Sequence, residues 1–325
     1  MKLKKIIDNR QIGLLGAIGV LLILAVFLTP SLFQVGTIHL TIRNYSVIGI
    51  LVLGMMAVIL TGGIDLSIGS ELALSGMITS LIMVNRPEIP VIWLVLLAIT
   101  IGFLCGFVNG FLVGVLRVQP IVATLATMNI YRGLTYLASG GKWVTSSQYT
   151  DAFANLAGAQ IGFYSIIWFL LILAISMSIF LSHTKYGRRL YAIGSNEASS
   201  RVAGIKPAGI KILAYTITGA FAGLTGILYS ANYKSFAPNI GIGIEMDVIA
   251  ICVLGGVSIT GGRGSFKCVV TAFIMMTLVS AFLSMLPGMS LWTNALQGAI
   301  VIIAVIVNIL TQQIAEKHVL RSRTI

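Results

Sequence analysis

The sequence predicts an all-α, polytopic membrane protein of about ten transmembrane helices, with one short cytoplasmic helix in a connecting loop. Three observations carry that expectation. Hydrophobic residues make up 57% of the chain and charged ones only 9%, whereas soluble domains carry about 25% charged residues. The mean hydropathy is +1.00. Apolar runs approaching the ~20 residues that cross a bilayer recur from end to end. The expected spans are residues 12–29, 44–60, 65–84, 91–115, 119–138, 161–182, 211–231, 245–260, 266–286 and 291–312, within a single transmembrane domain over 1–325 and with a polar loop at about 183–211.

The first span follows a basic start, MKLKKIIDNRQ. A secretory leader opens in the same way, but this apolar run ends at Thr29-Pro30 with bulky Leu32 and Phe33, where a cleavage site needs small residues. The run therefore reads as an uncleaved span.

Charge then orients the spans. With the N-terminus inside, the inner loops and tails hold Lys2, Lys4, Lys5, Arg10, Arg117, Lys185, Arg188, Arg189, Arg201, Lys206, Lys211, Arg263, Lys267, Lys317, Arg321 and Arg323. The outer side holds only Arg43, Arg86, Lys142 and Lys234, with Arg132 inside a span. Sixteen basic residues against four is a strong positive-inside bias. It places both termini in the cytoplasm and accounts for the net charge of +12 without nucleic acid as a partner.

Two elements show their packing in the sequence. Gly102, Gly106, Gly110 and Gly114 recur every fourth residue in the fourth span, on one helix face that another helix can approach closely. Gly219 and Gly223 repeat the spacing in the seventh.

"TGGIDLSIGSELALSG", residues 61–76, is the most informative polar stretch. Gly62-Gly63 breaks the chain between spans two and three, and Asp65 stands where it can cap the next helix. Ser67, Glu71, Ser75 and Thr79 then follow at four-residue steps as a polar stripe. A carboxylate inside a span costs about 2.5–3.5 kcal/mol on insertion scales and usually faces a cavity or a partner. Glu71 is thus a candidate for a translocation pathway, for a structural pair or for a position near the membrane edge, with Asp65, Ser67, Ser75, Asn109, Asn129 and Arg132 as the other pathway candidates.

"VLGGVSITGGRGS", residues 253–265, repeats the Thr-Gly-Gly of residues 61–63, a weak hint of duplicated halves. It is not a phosphate loop, because Gly262-Arg263 stands where Lys-Ser/Thr is required.

Enzyme chemistry is not evident in the sequence. There is no HExxH motif, and no Ser/His/Asp or Cys/His set lies in a polar segment. Asp65 and Glu71 could act as acid and base, but they are six residues apart, about 240° around a helix, so they do not face each other. Cys105, Cys252 and Cys268 lack metal or disulfide spacing, and His39, His183 and His318 fall in three separate segments, so no metal site is expected.

The polar insert from His183 to about Lys211 contains "AIGSNEASSRVAGIK". Ser195 reads as the cap of a short helix beginning at Asn196, Glu197 suits its first turn, and Gly204 with Pro207 ends it. Two and a half turns are unstable alone in water, so this helix needs a surface. Ala198, Val202, Ala203 and Ile205 give it small apolar side chains, better suited to a protein groove than to lipid.

These residues carry a resemblance. "GSNEASSRVAGI" resembles the coupling motif of ABC importer permeases. "TGGIDLSIGS", "NGFLVGVLRVQPIVATLATMNIYRGLTYLASGG" and "VLGGVSITGGRGS" are similar to stretches of the monosaccharide group, typified by ribose, xylose, galactose and autoinducer-2 permeases. The likeness runs in order over about residues 45–312 and departs mainly at Ser199-Ser200, where that group often has Ala.

The resemblance implies a permease subunit of a bacterial inner-membrane importer for a monosaccharide or similar small polar solute, not an enzyme itself. It implies three partners: an ABC ATPase subunit that holds ATP and Mg, a second permease subunit, identical or a sister, and an extracytoplasmic sugar-binding protein. No cofactor is implied in this chain. Ser195, Asn196, Glu197, Ala198, Arg201 and Gly204 become the expected ATPase-coupling residues. The alternative is an ion-coupled secondary transporter using Asp65 and Glu71 as intramembrane carboxylates.

Overall fold

The computed structural model describes residues 2–288 and isolated positions at 292, 295, 298, 299 and 302. These fall into two compact units. One gathers the described residues of Met1–Thr37, Ala250–Val257 and Gly264–Ile325; the other is Ile38–Ile249 with Ser258–Arg263.

In the first unit α1 (Lys2–Leu28) packs with α12 (Phe266–Met285). Ala25 and Leu32 bury against Val279, Ala281, Phe282 and Leu283. Pro30 opens the 3-10 turn Pro30–Phe33 that folds Leu32 back into this cluster.

The second unit contains α2 (Val35–Leu60) from residue 38 onward, α3 (Ile68–Asn85), α4 (Val91–Gly114), α5 (Pro120–Ser139), α6 (Asp151–Gly158), α7 (Ser165–His183), α8 (Lys185–Ser195), α9 (Glu197–Val202) and α10 (Pro207–Tyr233). It also holds the first residues of α11 (Ile244–Leu254). A minimal antiparallel hairpin, β1 (Gln160–Ile161) with β2 (Phe163–Tyr164), precedes α7.

Among the described residues, seven helices are long and apolar enough to cross a membrane: Gln11–Leu28, Val35–Leu60, Ile68–Asn85, Val91–Gly114, Ser165–His183, Pro207–Tyr233 and Phe266–Met285. The differences from the ten expected spans have physical causes. The span expected at 119–138 forms α5, 20 residues long, but its Thr, Asn, Arg and Tyr residues leave it less apolar than the other seven. The span expected at 245–260 is only the 11-residue α11, about 16 Å long against a core of about 30 Å. It stops because Gly255 packs against Val269 and Gly256 turns the chain at a positive φ. The last expected span, 291–312, lies largely outside the described residues.

α2 begins nine residues before its expected start and takes Arg43 into the helix. The Arg43 guanidinium donates to the side-chain and backbone oxygens of Asn232. It also lies 4.6 Å over the Tyr164 ring, so its charge is satisfied there. α10 starts at Pro207, a residue preorganised for the first helical position, so Pro207 opens this helix where the sequence suggested it closes the preceding one.

α4 and α10 cross along the glycine face. A Cβ on Gly102 would overlap Gly219 and Gly223, and one on Gly106 would overlap the Tyr215 and Gly219 backbone. Gly110 and Gly114 meet Ile212 and Ala208 in the same way. The opposite face of α4 exposes Phe103, Leu104, Phe107, Val108 and Phe111, as a lipid-facing surface would. Packing at such close range rests on dispersion between backbones, which any side chain would push apart.

Candidate functional site

Two constellations emerge. The first is buried. The chain leaves α2 through Thr61-Gly62-Gly63 and does not regain helix until Ile68, so Asp65 and Ser67 lie on a turn. Asp65 Oδ1 accepts the Ser67 N–H at 2.9 Å and the Ser67 hydroxyl at 2.6 Å. The same hydroxyl lies 3.0 Å from Glu71 Oε1. From α4, Asn109 Nδ2 donates to Ser67 Oγ at 2.7 Å and to Glu71 Oε1 at 2.9 Å. All four residues have no exposed surface.

Asp65 and Glu71 therefore converge through Ser67, contrary to the helical-wheel expectation. The 100° step applies only within a helix, and Asp65 precedes this one. Asp65 serves the turn: Ser67 occupies the capping position of α3, with no side-chain cap bond.

The turn is held from two further helices. Thr124 of α5, whose hydroxyl donates to Pro120 O at 2.9 Å, receives the Leu66 N–H at 3.1 Å, while Tyr215 of α10 donates to Ile64 O at 3.3 Å. Sequence reasoning missed both. The available signal was a Tyr in an apolar span, whose hydroxyl needs a partner when buried.

The other pathway candidates separate from this cluster. Ser75 is buried; its hydroxyl donates to Gly223 O at 2.8 Å and lies 3.2 Å from Ala98 O, joining α3 to α10 beside α4. Arg132 donates to Pro238 O and Ile240 O at 2.7 and 2.6 Å, and Asn129, exposed on α5, donates to its own Leu125 O. Neither reaches Glu71.

The second constellation is the polar segment between α7 and α10, which forms two helices where one was expected. Thr184 caps α8 by accepting the Gly187 N–H at 3.0 Å. α8 runs through Ser195, so Ser195 closes that helix, and the cap of α9 is Asn196, whose side chain accepts the Ser199 N–H at 2.8 Å. The residue expected as the cap lies inside the longer α8, and Asn196, expected as the first helical residue, caps α9 in its place. Gly204, with φ +76°, ends the segment.

Glu197 binds two cations: Arg201 at 2.6 Å, one turn on, and Lys211 of α10 at 2.7 Å. The Lys211 hydrogen bond, then that of Arg201, holds the Glu197 carboxyl below its ordinary value. A 14-residue separation gives no sequence signal for the Lys211 pair. Ala198, Arg201 and Gly204 are exposed, and Val202 is 92% exposed, so α9 presents a small apolar face to its surroundings.

A direct backbone joint links this segment to the buried turn. Gly194 of α8 abuts Leu60 O, Gly261 and Gly262. Ser195 Oγ donates to Gly262 O at 3.3 Å, and Gly262 N–H donates to Leu60 O at 2.9 Å. The two Thr-Gly-Gly stretches thus meet in space, with Gly62 against Thr260 O. Gly261 and Gly262 have φ +85° and +72°, which side chains rarely adopt.

The family described as branched-chain amino acid transport system / permease component matches residues 37–305. The chain is 34% identical over 306 residues to the autoinducer 2 import system permease protein LsrC of Escherichia coli (strain K12 / DH10B), covering 94% of this chain and 88% of that one. The LsrC protein of Shigella flexneri is 33% identical over 305 residues, with the same coverage. The ribose import permease protein RbsC of Escherichia coli (strain K12) is 34% identical over 295 residues, covering 90% of this chain and 91% of that one. No solved structure matches. With the family matched over most of the sequence and its relatives aligned nearly end to end, this multi-pass membrane protein belongs to the transport-system permease family.

Proposed function

We propose that the chain is the membrane subunit of an ATP-driven importer in the inner membrane, moving a monosaccharide or similar small polar solute into the cytoplasm. The relatives named for ribose and autoinducer 2 support the solute class. ATP and Mg²⁺ bind a partner ATPase, and an external binding protein selects the solute, so this chain needs no tight site of its own. The basic excess of the α7–α10 loop supports a cytoplasmic location for it and for both termini.

The observation that carries the reading is α9: a six-residue helix, exposed along Ala198 and Val202, clamped to α10 by Glu197–Lys211 and continuous through Asn196 with α8, whose Gly194 sits against the end of α2. Closure of the ATPase pulls α9. The Lys211 clamp passes the pull to α10, and the Gly194 joint passes it to the α2–α3 turn. Two permease subunits enclose the path. It runs along the polar side of α5, where Asn129 is exposed and Arg132 half-buried, whereas Asp65, Ser67, Glu71, Ser75 and Asn109 form scaffold.

The test is purification in mild detergent of the native chain and the Glu197→Lys variant, with identification of co-purifying subunits and an ATPase assay. Retention of an ATPase by the native chain and its loss in the variant supports the reading. Solute transport by the native chain alone in vesicles under an ion gradient would replace it with secondary transport.

A further inference from the structure

The Asp65–Ser67–Glu71–Asn109 cluster carries two carboxyl groups and, among the described residues, no cation. Facing it are Cys105 of α4, Tyr131 of α5, whose hydroxyl donates to Cys105 O at 3.0 Å, and Thr124 and Tyr215. Glu245 of α11 lies against Gly69, two residues from Glu71. None of these groups is basic. A buried carboxylate without a counter-charge is strongly disfavoured, and two sharing one site more so.

The hydrogens in the cluster can be counted. The single Ser67 hydroxyl proton serves Asp65 Oδ1 or Glu71 Oε1, not both. The two Asn109 amide hydrogens go to Ser67 Oγ and Glu71 Oε1. Three buried acceptors, Asp65 Oδ2, Glu71 Oε2 and Asn109 Oδ1, are left without a donor.

One added proton resolves most of this deficit. On Glu71 Oε2 it removes one of the two charges and converts a bare acceptor into a donor. That donor matches Asn109 Oδ1, because Asn109 already donates to the other oxygen of the same carboxyl group, the two-bond pairing of a carboxylic acid with an amide. Asp65 is the better site for the remaining charge: it receives both the N–H and the hydroxyl of Ser67 and stands before the N-terminus of α3.

We propose that this cluster is a one-proton site in which Glu71 is held as a neutral carboxylic acid paired with Asn109, while Asp65 is ionised and bound by Ser67. The proton is a permanent ligand of the α3–α4 contact, acquired from solvent as the helices close.

Infrared spectroscopy of the full chain in lipid nanodiscs at neutral pH tests this. The expected result is a carbonyl band of a protonated carboxylic acid that shifts on ¹³C-glutamate labelling, does not shift on ¹³C-aspartate labelling, disappears in Glu71→Gln and persists in Glu245→Gln. If Glu71→Gln fails to fold, the two labels and the persistence in Glu245→Gln still decide the matter. Absence of the band, its shift with the aspartate label, or its loss in Glu245→Gln overturns the proposal. So does a thermal midpoint that rises in Na⁺ or K⁺ over choline without any acid band, which would assign the neutralising role to a metal cation.

Discussion

Lys211 Nζ donates a 2.7 Å hydrogen bond to Glu197 Oε2, joining the first turn of α9 to the start of α10 across a stretch of loop that contains no other helix. Its pH dependence follows from the direction of the Glu197 shift. A carboxyl held below its ordinary 4.5 stabilises the folded state fully above that value, and the contribution is lost as pH falls through the lower folded value. The pair is partly exposed, so its worth is about 0.5 kcal/mol. A double-mutant cycle of Glu197→Gln and Lys211→Met, read as thermal midpoints near neutrality and again at acid pH, should show coupling only in the first.

The glycine face makes a sharper demand. Gly106→Ala places a Cβ into the Tyr215 backbone and should destabilise by about 1–3 kcal/mol. Gly133→Ala in α5, where a Cβ meets nothing within 4 Å, should be neutral or slightly stabilising. Thermal midpoints of the two purified variants provide the comparison, and equal losses would refute close backbone packing as the cause.

Asn109 and Asn129 look alike in sequence, each a polar residue in a span, yet they should respond in opposite ways. Asn109→Leu strips donors from Ser67 and Glu71 in a fully buried cluster and should cost about 1–3 kcal/mol of stability. Asn129→Leu, exposed and bonded only within its own helix, should leave stability unchanged and reduce solute uptake. Uptake assays beside unfolding curves separate the two effects.

Gly194→Val tests transmission. Its side chain would enter the space held by Leu60 O and Gly262, displacing α8 from the α2–α3 turn. Uptake is expected to fall at least tenfold, about 1.4 kcal/mol, while the variant still binds the ATPase subunit and ATP hydrolysis continues. Unimpaired uptake would show that motion reaches the spans by another route.

Much of this arrangement was legible from local pattern. The four-residue glycine spacing marked a close-approach face on α4 and another on α10 because helix periodicity is a local property, but neither pattern named the other helix as its partner. The polar insert was legible as helical for the same reason. What escaped were relations set by where helices stop. Asp65 and Glu71 were separated by extending a helical wheel through a turn, and Ser195 was read as a cap because the length of α8, which takes it in, is not written in the local pattern. The short α11 depends on Val269 meeting Gly255, and Glu197 depends on Lys211, contacts between distant residues that no window of sequence contains. The recurrence of Thr-Gly-Gly was visible, but nothing in either copy indicated that the two would touch.

The contact of Gly62 with Thr260 and of Gly194 with Gly261 and Gly262 has a mechanical meaning. Side chains that line a joint give it slack, because they change rotamer when pushed and absorb the displacement. Here main chain bears on main chain, and little can yield. A small shift of α8 is therefore carried whole to the turn before α3, which makes this joint a stiff bearing.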